Sequence, residues 1–287
     1  MKASLVIALG LALGAATAGR VLAHEDLLAR ISLLTAQIST NRDNVEALIQ
    51  RGDTYRLHGS LKESQGDYAA AAKLAPNSAA LLFGRAQLSV ALGEDAAART
   101  AFDEFISRFP TNRAALFCRA RVLTRLGERR SAIVDYSRGI ALLDSLSLEE
   151  FLERASLQAA ESGADEAIKG LDEGLARWGW VVAFQQVAMD YELKRQRPDQ
   201  ALARLETIIA RANRKETWLA RKGEILVAAG KPREAQVAFS TILEAIDALP
   251  PRMRGSPGMV QLRGKVAGSL AALRAGSDDS QVPSRAR

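Results

Sequence analysis

The chain has 287 residues, of which 48% are apolar and 25% charged, with two histidines, His24 and His58, and one cysteine, Cys118. One cysteine excludes an intramolecular disulfide, and two histidines beside it leave no clustered set of three or four ligands for a protein-built zinc site. The net charge is +6, but Lys2 and Arg20 hold two of those charges and the segment 250–287 holds five (seven bases against Asp278 and Asp279), so residues 24–249 carry about −1 and offer no basic groove for nucleic acid.

Residues 1–23 read as a cleaved signal peptide: Lys2, an apolar run from Leu5 to Ala16, then small residues. Ala16-Thr17-Ala18 fits the A-x-A form of a cleavage site, while processing after Val21-Leu22-Ala23, the preferred reading, leaves the acidic start His24-Glu25-Asp26; the run is short for a membrane span. The expected localisation is therefore periplasmic or secreted. Residues 24–44 follow as an N-terminal capping helix, with Leu27, Ile31, Leu34 and Ile38 at helical spacing.

From Val45 the chain repeats itself. The stretch Val45–Ser78 holds two helical runs hinged at His58-Gly59-Ser60 and stopped by Pro76, with Gly52, Tyr55, Gly59, Ser64, Tyr68 and Ala71 in order. A shift of 34 residues places Ala86, Gly93, Ala98, Phe102 and Pro110 on the same slots; a second places Ala120, Gly127, Ala132 and Tyr136. The period slips by one residue and resumes with Ala155, Ala167 and Leu171, then Met189, Ala201 and Leu205, then Gly223, Ala235 and Phe239. Six helix-turn-helix units follow: 45–78, 79–112, 113–146, 147–181, 182–215 and 216–249. Small residues let paired backbones approach, aromatic slots supply apolar area between units, and glycines 59, 93, 127 and 230 stand where each first helix must end. Pro198 and Pro232 fit the first turn of a second helix, where no N–H is needed.

Beyond the repeats, PPRMRGSPG reads as a loop, Val260–Leu273 as a helix within a C-terminal cap over 250–275, and residues 276–287 as a disordered tail. The basic charges of this end are scattered, as on a solvated segment, so membrane contact is expected at most through the signal or this end.

This spacing from Val45 to Leu249 resembles the tetratricopeptide repeat family. The resemblance implies an all-α fold, a right-handed α-solenoid of about six repeats with a capping helix at each end. It implies a non-catalytic scaffold that binds a protein or peptide on the concave face, with no cofactor. In this family the first helices line that face, and slot-by-slot transfer gives Ile49, Asp53 and Arg56, then Phe83, Gln87 and Val90, then Phe117, Arg121 and Arg125. Later units supply Leu152, Ser156, Gln186, Asp190, Lys194 and Glu224. From these we take Phe83, Gln87, Phe117, Arg121, Arg125 and Asp190 as the expected partner-binding residues, with two rings and two guanidiniums sharing one patch. The clamp with which some members hold a C-terminal carboxylate is missing, because its slots hold Ile49, Asp53, Phe83 and Gly84.

Chemistry-bearing motifs are few. No G-x-S-x-G is present, and neither Gly230-Lys231 nor Gly264-Lys265 continues as a phosphate-binding loop. His58 reads as a helix-end residue, Cys118 as a small buried hydrophobe, and Trp178, Trp180 and Trp218 as core with a recognition patch as the alternative. Cleavage after Ala23 would expose His24 as an N-terminal copper chelator, giving a metal-responsive or catalytic exported protein as the alternative function. Export itself is open to direct measurement. N-terminal sequencing of the natively expressed protein is expected to begin at Gly19 or His24, and an intact Met1 in a cytosolic fraction overturns it.

Overall fold

The computed structural model describes residues 25–279; the signal segment, His24 and residues 280–287 lie outside it. All regular structure in the described residues is helical, in two compact units divided along the chain between Ser145 and Leu146.

The first unit opens with α1 (residues 25–40). Three hairpins follow: α2 (Val45–His58) with α3 (Leu61–Leu74), α4 (Ala79–Ala91) with α5 (Asp95–Arg108), and α6 (Arg113–Arg125) with α7 (Arg129–Ala141). Each second helix packs on the next first helix, and consecutive first helices touch one another. The second unit pairs α8 (Leu148–Glu161) with α9 (Ala164–Trp178), α10 (Val182–Lys194) with α11 (Pro198–Arg211), and α12 (Glu216–Ala228) with α13 (Pro232–Asp247). A short α14 (Pro251–Arg254) and a long α15 (Pro257–Asp279) complete it, α15 lying on α13.

The hairpin turns follow from one backbone requirement. Gly59, Gly93, Gly127 and Gly230 all have positive φ, and the residue after each donates its N–H five residues back, as in Glu128 to the Leu123 carbonyl at 2.8 Å. The α10–α11 turn makes the same bond, Arg197 to Glu192 at 2.9 Å, with Gln196 at φ 56° in the glycine's place. Asn44 and Asn112 cap α2 and α6 by accepting from the N–H groups of Ala47 and Ala115.

Packing obeys the small-residue slots. Ala86, Ala98, Ala120 and Ala132 are fully enclosed, and Tyr68, Phe102, Tyr136 and Phe239 fill the spaces that they leave. A Cβ added at Gly52 would stand 2.7 Å from the Tyr68 ring, and one at Gly223 would stand 2.2 Å from the Phe239 ring. Polar ties cross the same hairpins. Arg51 holds the buried Asp67, and Arg119 holds Asp135, which is 2% exposed.

The C-terminal end departs from the expectation of a loop, a 14-residue helix and a disordered tail. Pro251 opens α14 and Pro257 opens α15, each at a position where proline's fixed φ suits a helix start. The glycines at 264 and 268 are tolerated because both lie on the open side, while Met259, Val266 and Leu270 are buried with Phe239 and Ile242 of α13. The helix continues to Asp279, four residues into the segment read as tail.

The register sets a stability test. Ala132→Trp must overpack the α6–α7 contact and is expected to cost about 1–3 kcal/mol or more, lowering the melting temperature. Ala114→Trp, on the exposed side of α6, is the control. Equal melting of both variants and the parent would contradict the packing.

Candidate functional site

Three consecutive first helices, α2, α4 and α6, present one continuous face in the first unit. Helical spacing of three and four residues puts Asp53 and Arg56 of α2 on it, then Gln87 and Val90 of α4, then Cys118, Arg121 and Arg125 of α6. Arg56, Gln87, Val90, Cys118, Arg121 and Arg125, with Ala91, line an open cavity of about 190 Å³. All of these side chains but Ala91 and Arg125 are half-buried. A guanidinium in such a setting interacts with an incoming carboxylate more strongly than one in free solvent.

The flanks of the cavity are fixed by internal pairs. Asp53 accepts from the Tyr68 hydroxyl at 2.7 Å and stands 3.6 Å from Arg56, which anchors the α2 side to α3. Burial, reinforced by the Asp53 carboxylate, pushes the Tyr68 phenol up, so it stays protonated and donating. On the α6 side, Arg125 donates to both oxygens of Asp95 on α5, from Nη2 and Nε to Oδ1 at 2.6 and 2.9 Å and from Nε to Oδ2 at 3.1 Å. That hydrogen bond holds the Asp95 carboxyl below its usual range and raises Arg125. The Nε of Arg56 is buried and makes no hydrogen bond. Burial pushes the Cys118 thiol up while Arg121 and Gln87 pull it back, so the thiol is a weak donor in the cavity wall.

Of the expected binding residues, Gln87, Arg121 and Arg125 come together here. The two rings do not join them as a shared patch. Phe117 is 7% exposed, stacks on Tyr136 with ring centres 6.1 Å apart, and occupies the space over Gly139, where a Cβ would come within 2.3 Å of the ring. Phe83 turns toward Phe105 and Phe102 at 5.3 and 6.1 Å and is half-buried among them. Ile49 is likewise core, packed with Leu48, Tyr68 and Leu81. These positions lie at the edge of the face, where the next helix reaches them. Asp190 belongs to the second unit, exposed on α10 and 3.6 Å from Arg221.

Other residues singled out in the sequence take structural places. His58 Nδ1 lies 2.9 Å from the Ser60 hydroxyl at the hinge. Trp218 packs with the Met189 and Leu205 cluster, whereas Trp180 is 37% exposed beneath the Arg211 guanidinium. No group of three or more His, Cys, Asp or Glu residues among the described ones is placed to hold a metal ion. The proposed His24 copper site lies outside the described residues. No described helix is long and apolar enough to cross a membrane. Arg56, already on the transferred slots, and Cys118, expected only as a small buried hydrophobe, complete the lining, α2 and α6 meeting at α4 from 62 residues apart.

No model of a known protein family matches the chain. No curated protein is similar to it in sequence. Solved structures are similar in fold. The C-terminal part of a TPR repeat-containing protein from Cytophaga hutchinsonii aligns with a TM-score of 0.62 at 14% identity, over 79% of this chain and 93% of that one. PilW, a widely conserved type IV pilus biogenesis factor, aligns at 0.52 and 15%, over 68% and 91%. YrrB, a TPR protein with an unusual peptide-binding site, aligns at 0.50 and 18%, over 62% and 91%. The all-α tetratricopeptide-repeat fold expected from the sequence is the fold of the chain.

The placement of Phe117 sets its mutational signature. Phe117→Ala is expected to lower the free energy of unfolding by about 3–5 kcal/mol. Arg121→Glu should unfold like the parent. Urea titration of both variants checks this, and a parent-like Phe117→Ala would return the ring to the surface patch.

Proposed function

We propose that this tetratricopeptide-repeat chain is a non-catalytic scaffold that binds an acidic segment of a protein or peptide on the first-helix face of its first unit. The observation that carries this reading is the convergence of Arg56, Gln87, Arg121 and Arg125 from three successive first helices around one open cavity. Fixed guanidiniums with an amide between them suit a carboxylate and the peptide group beside it, because arginine's planar fork can bind both oxygens at once. Val90 and Ala91 give a small apolar floor for the neighbouring side chain. Phe117 and Phe83 act from below, holding α6 and α4 in place, and are not contacts. YrrB is named for a peptide-binding site, which agrees with this use of the fold. Within the second unit, Asp190 and Arg221 offer a separate polar contact.

The apolar run after Lys2 and the small residues at Ala16–Ala18 and Val21–Ala23 support export, so the partner is sought in the cell envelope. Affinity capture from envelope extract, read by mass spectrometry, tests the site. The parent is expected to retain a partner that Arg121→Glu and Gln87→Ala each reduce severalfold while melting as the parent does. Capture that is equal for the parent and the Arg56→Glu/Arg121→Glu double variant would refute the site.

A further inference from the structure

Arg85 of α4 holds the register that Arg51 holds on α2 and Arg119 on α6, one residue before the small slot. From that register both counterparts reach 16 residues forward to the second helix of their own hairpin. Arg51 donates to the two oxygens of Asp67 at 2.7 and 2.8 Å, and Arg119 to those of Asp135 at 2.6 and 2.7 Å. Both also reach 16 residues back to the helix before. Arg51 meets the Thr35 hydroxyl at 3.0 Å, and Arg119 meets Asp103 at 2.8 Å. For Arg85 the corresponding positions are Ala101 and Ala69. Arg85 is exposed and makes no hydrogen bond or ion pair with any described residue.

Where those polar side chains are missing, a groove of about 700 Å³ opens between α3 and α5, with Leu82 and Leu88 of α4 beneath it. Its volume falls within the range of clefts that hold ligands. Ala69 and Ala101 both line it, so the space and the lone cation have one cause. The alanines by themselves would mark only a thin stretch of surface. The arginine register supplies the chemistry, because in two of three hairpins of the same unit it is completed by a carboxylate held at both oxygens. Glu94 and Glu104 also line the groove, which disfavours a polyanion such as nucleic acid or a phospholipid surface. One carboxylate flanked by apolar residues fits this charge pattern.

We propose that the α3–α4–α5 groove is a second binding site, which takes a peptide segment of a partner protein whose single Asp or Glu side chain pairs with Arg85 between small or apolar neighbours. The site is distinct from the first-helix face, and none of the residues of that face lines it.

Two phage-displayed heptapeptide libraries, one with glutamate and one with glutamine fixed at the centre, are panned against the full chain. Enrichment is expected from the glutamate library alone. Synthetic copies of the enriched peptides, followed by fluorescence anisotropy, should bind the parent at least about tenfold more tightly than they bind Arg85→Gln, the loss expected for a charge-assisted bidentate pair. Ala101→Asp supplies the internal partner that the other hairpins possess, so it should lose the peptide equally while melting no lower than the parent. Arg121→Glu should bind these peptides normally, which separates this groove from the first-helix face. The proposal fails if the peptides bind Ala101→Asp as they bind the parent, or if neither library or only the glutamine library enriches. It fails also if the parent sediments as a dimer that Ala101→Asp converts to monomer, since the occupant is then a second copy.

Discussion

An aromatic ring seated on a glycine is the contact on which the helix spacing rests. The Tyr68 ring lies against Gly52 of its own hairpin and Gly84 of the next, and a Cβ at either would stand within 3 Å of it. One side chain therefore sets both the pairing of α2 with α3 and the approach of α4. The second unit repeats the device with Phe239 on Gly223, and with Phe184 and Phe151 against Gly174. In the third hairpin the direction reverses, as it does for Phe151 over Gly174: Phe117, on the first helix, sits over Gly139 of the second. Reversal removes a ring from the first-helix face and leaves that face to longer polar side chains. Core geometry thus decides the chemistry of the surface above it.

Charge follows a second, slower logic. Asp67 and Asp135 are nearly enclosed, and a buried carboxylate is tolerated only when its partner is held in good geometry. Arg51 and Arg119 meet that demand from a fixed register and brace each hairpin across its middle. Removing either partner would strand a charge. The middle hairpin dispenses with the brace: Phe102, Phe105 and Phe83 form an aromatic cluster there, and apolar packing takes over the work of the ion pair. Its arginine is left with no structural duty.

Period and slot sizes made the fold legible in the sequence, because each slot answers a local steric demand: no Cβ beneath a ring, positive φ at a turn, no N–H at a helix start. Gln196 shows the limit. Its turn closes by the same hydrogen bond as the glycine turns, so the backbone demand was met by a residue that does not advertise it. The C-terminal helix was legible over Val260–Leu273 but not at its full length, since Gly264 and Gly268 weaken a helix only when burial does not compensate, and burial on α13 cannot be counted from one segment. In the candidate site, Gln87, Arg121 and Arg125 were readable as slots. Phe117 was not, because a slot gives a direction from one helix and says nothing about a ring-sized gap in its neighbour. The 16-residue relation of Arg51 to Asp67 and Arg119 to Asp135 was present in the sequence, and it becomes visible only once paired helices are known to cross at those positions.

The short glycine turns have a consequence for how such a chain reaches its structure. The braced hairpins close through partners 16 residues apart, and each unit is built by adding neighbours in order. Loop closure over such distances costs little entropy, and no strand or helix must wait for a distant segment to arrive. The hairpins can form one after another as the chain is synthesised, each presenting the surface on which the next condenses. Assembly can then propagate from whichever hairpin forms first, and the α10–α11 hairpin, which alone among these holds a side-chain-bearing residue in the left-handed region, carries a steric cost that the glycine turns escape.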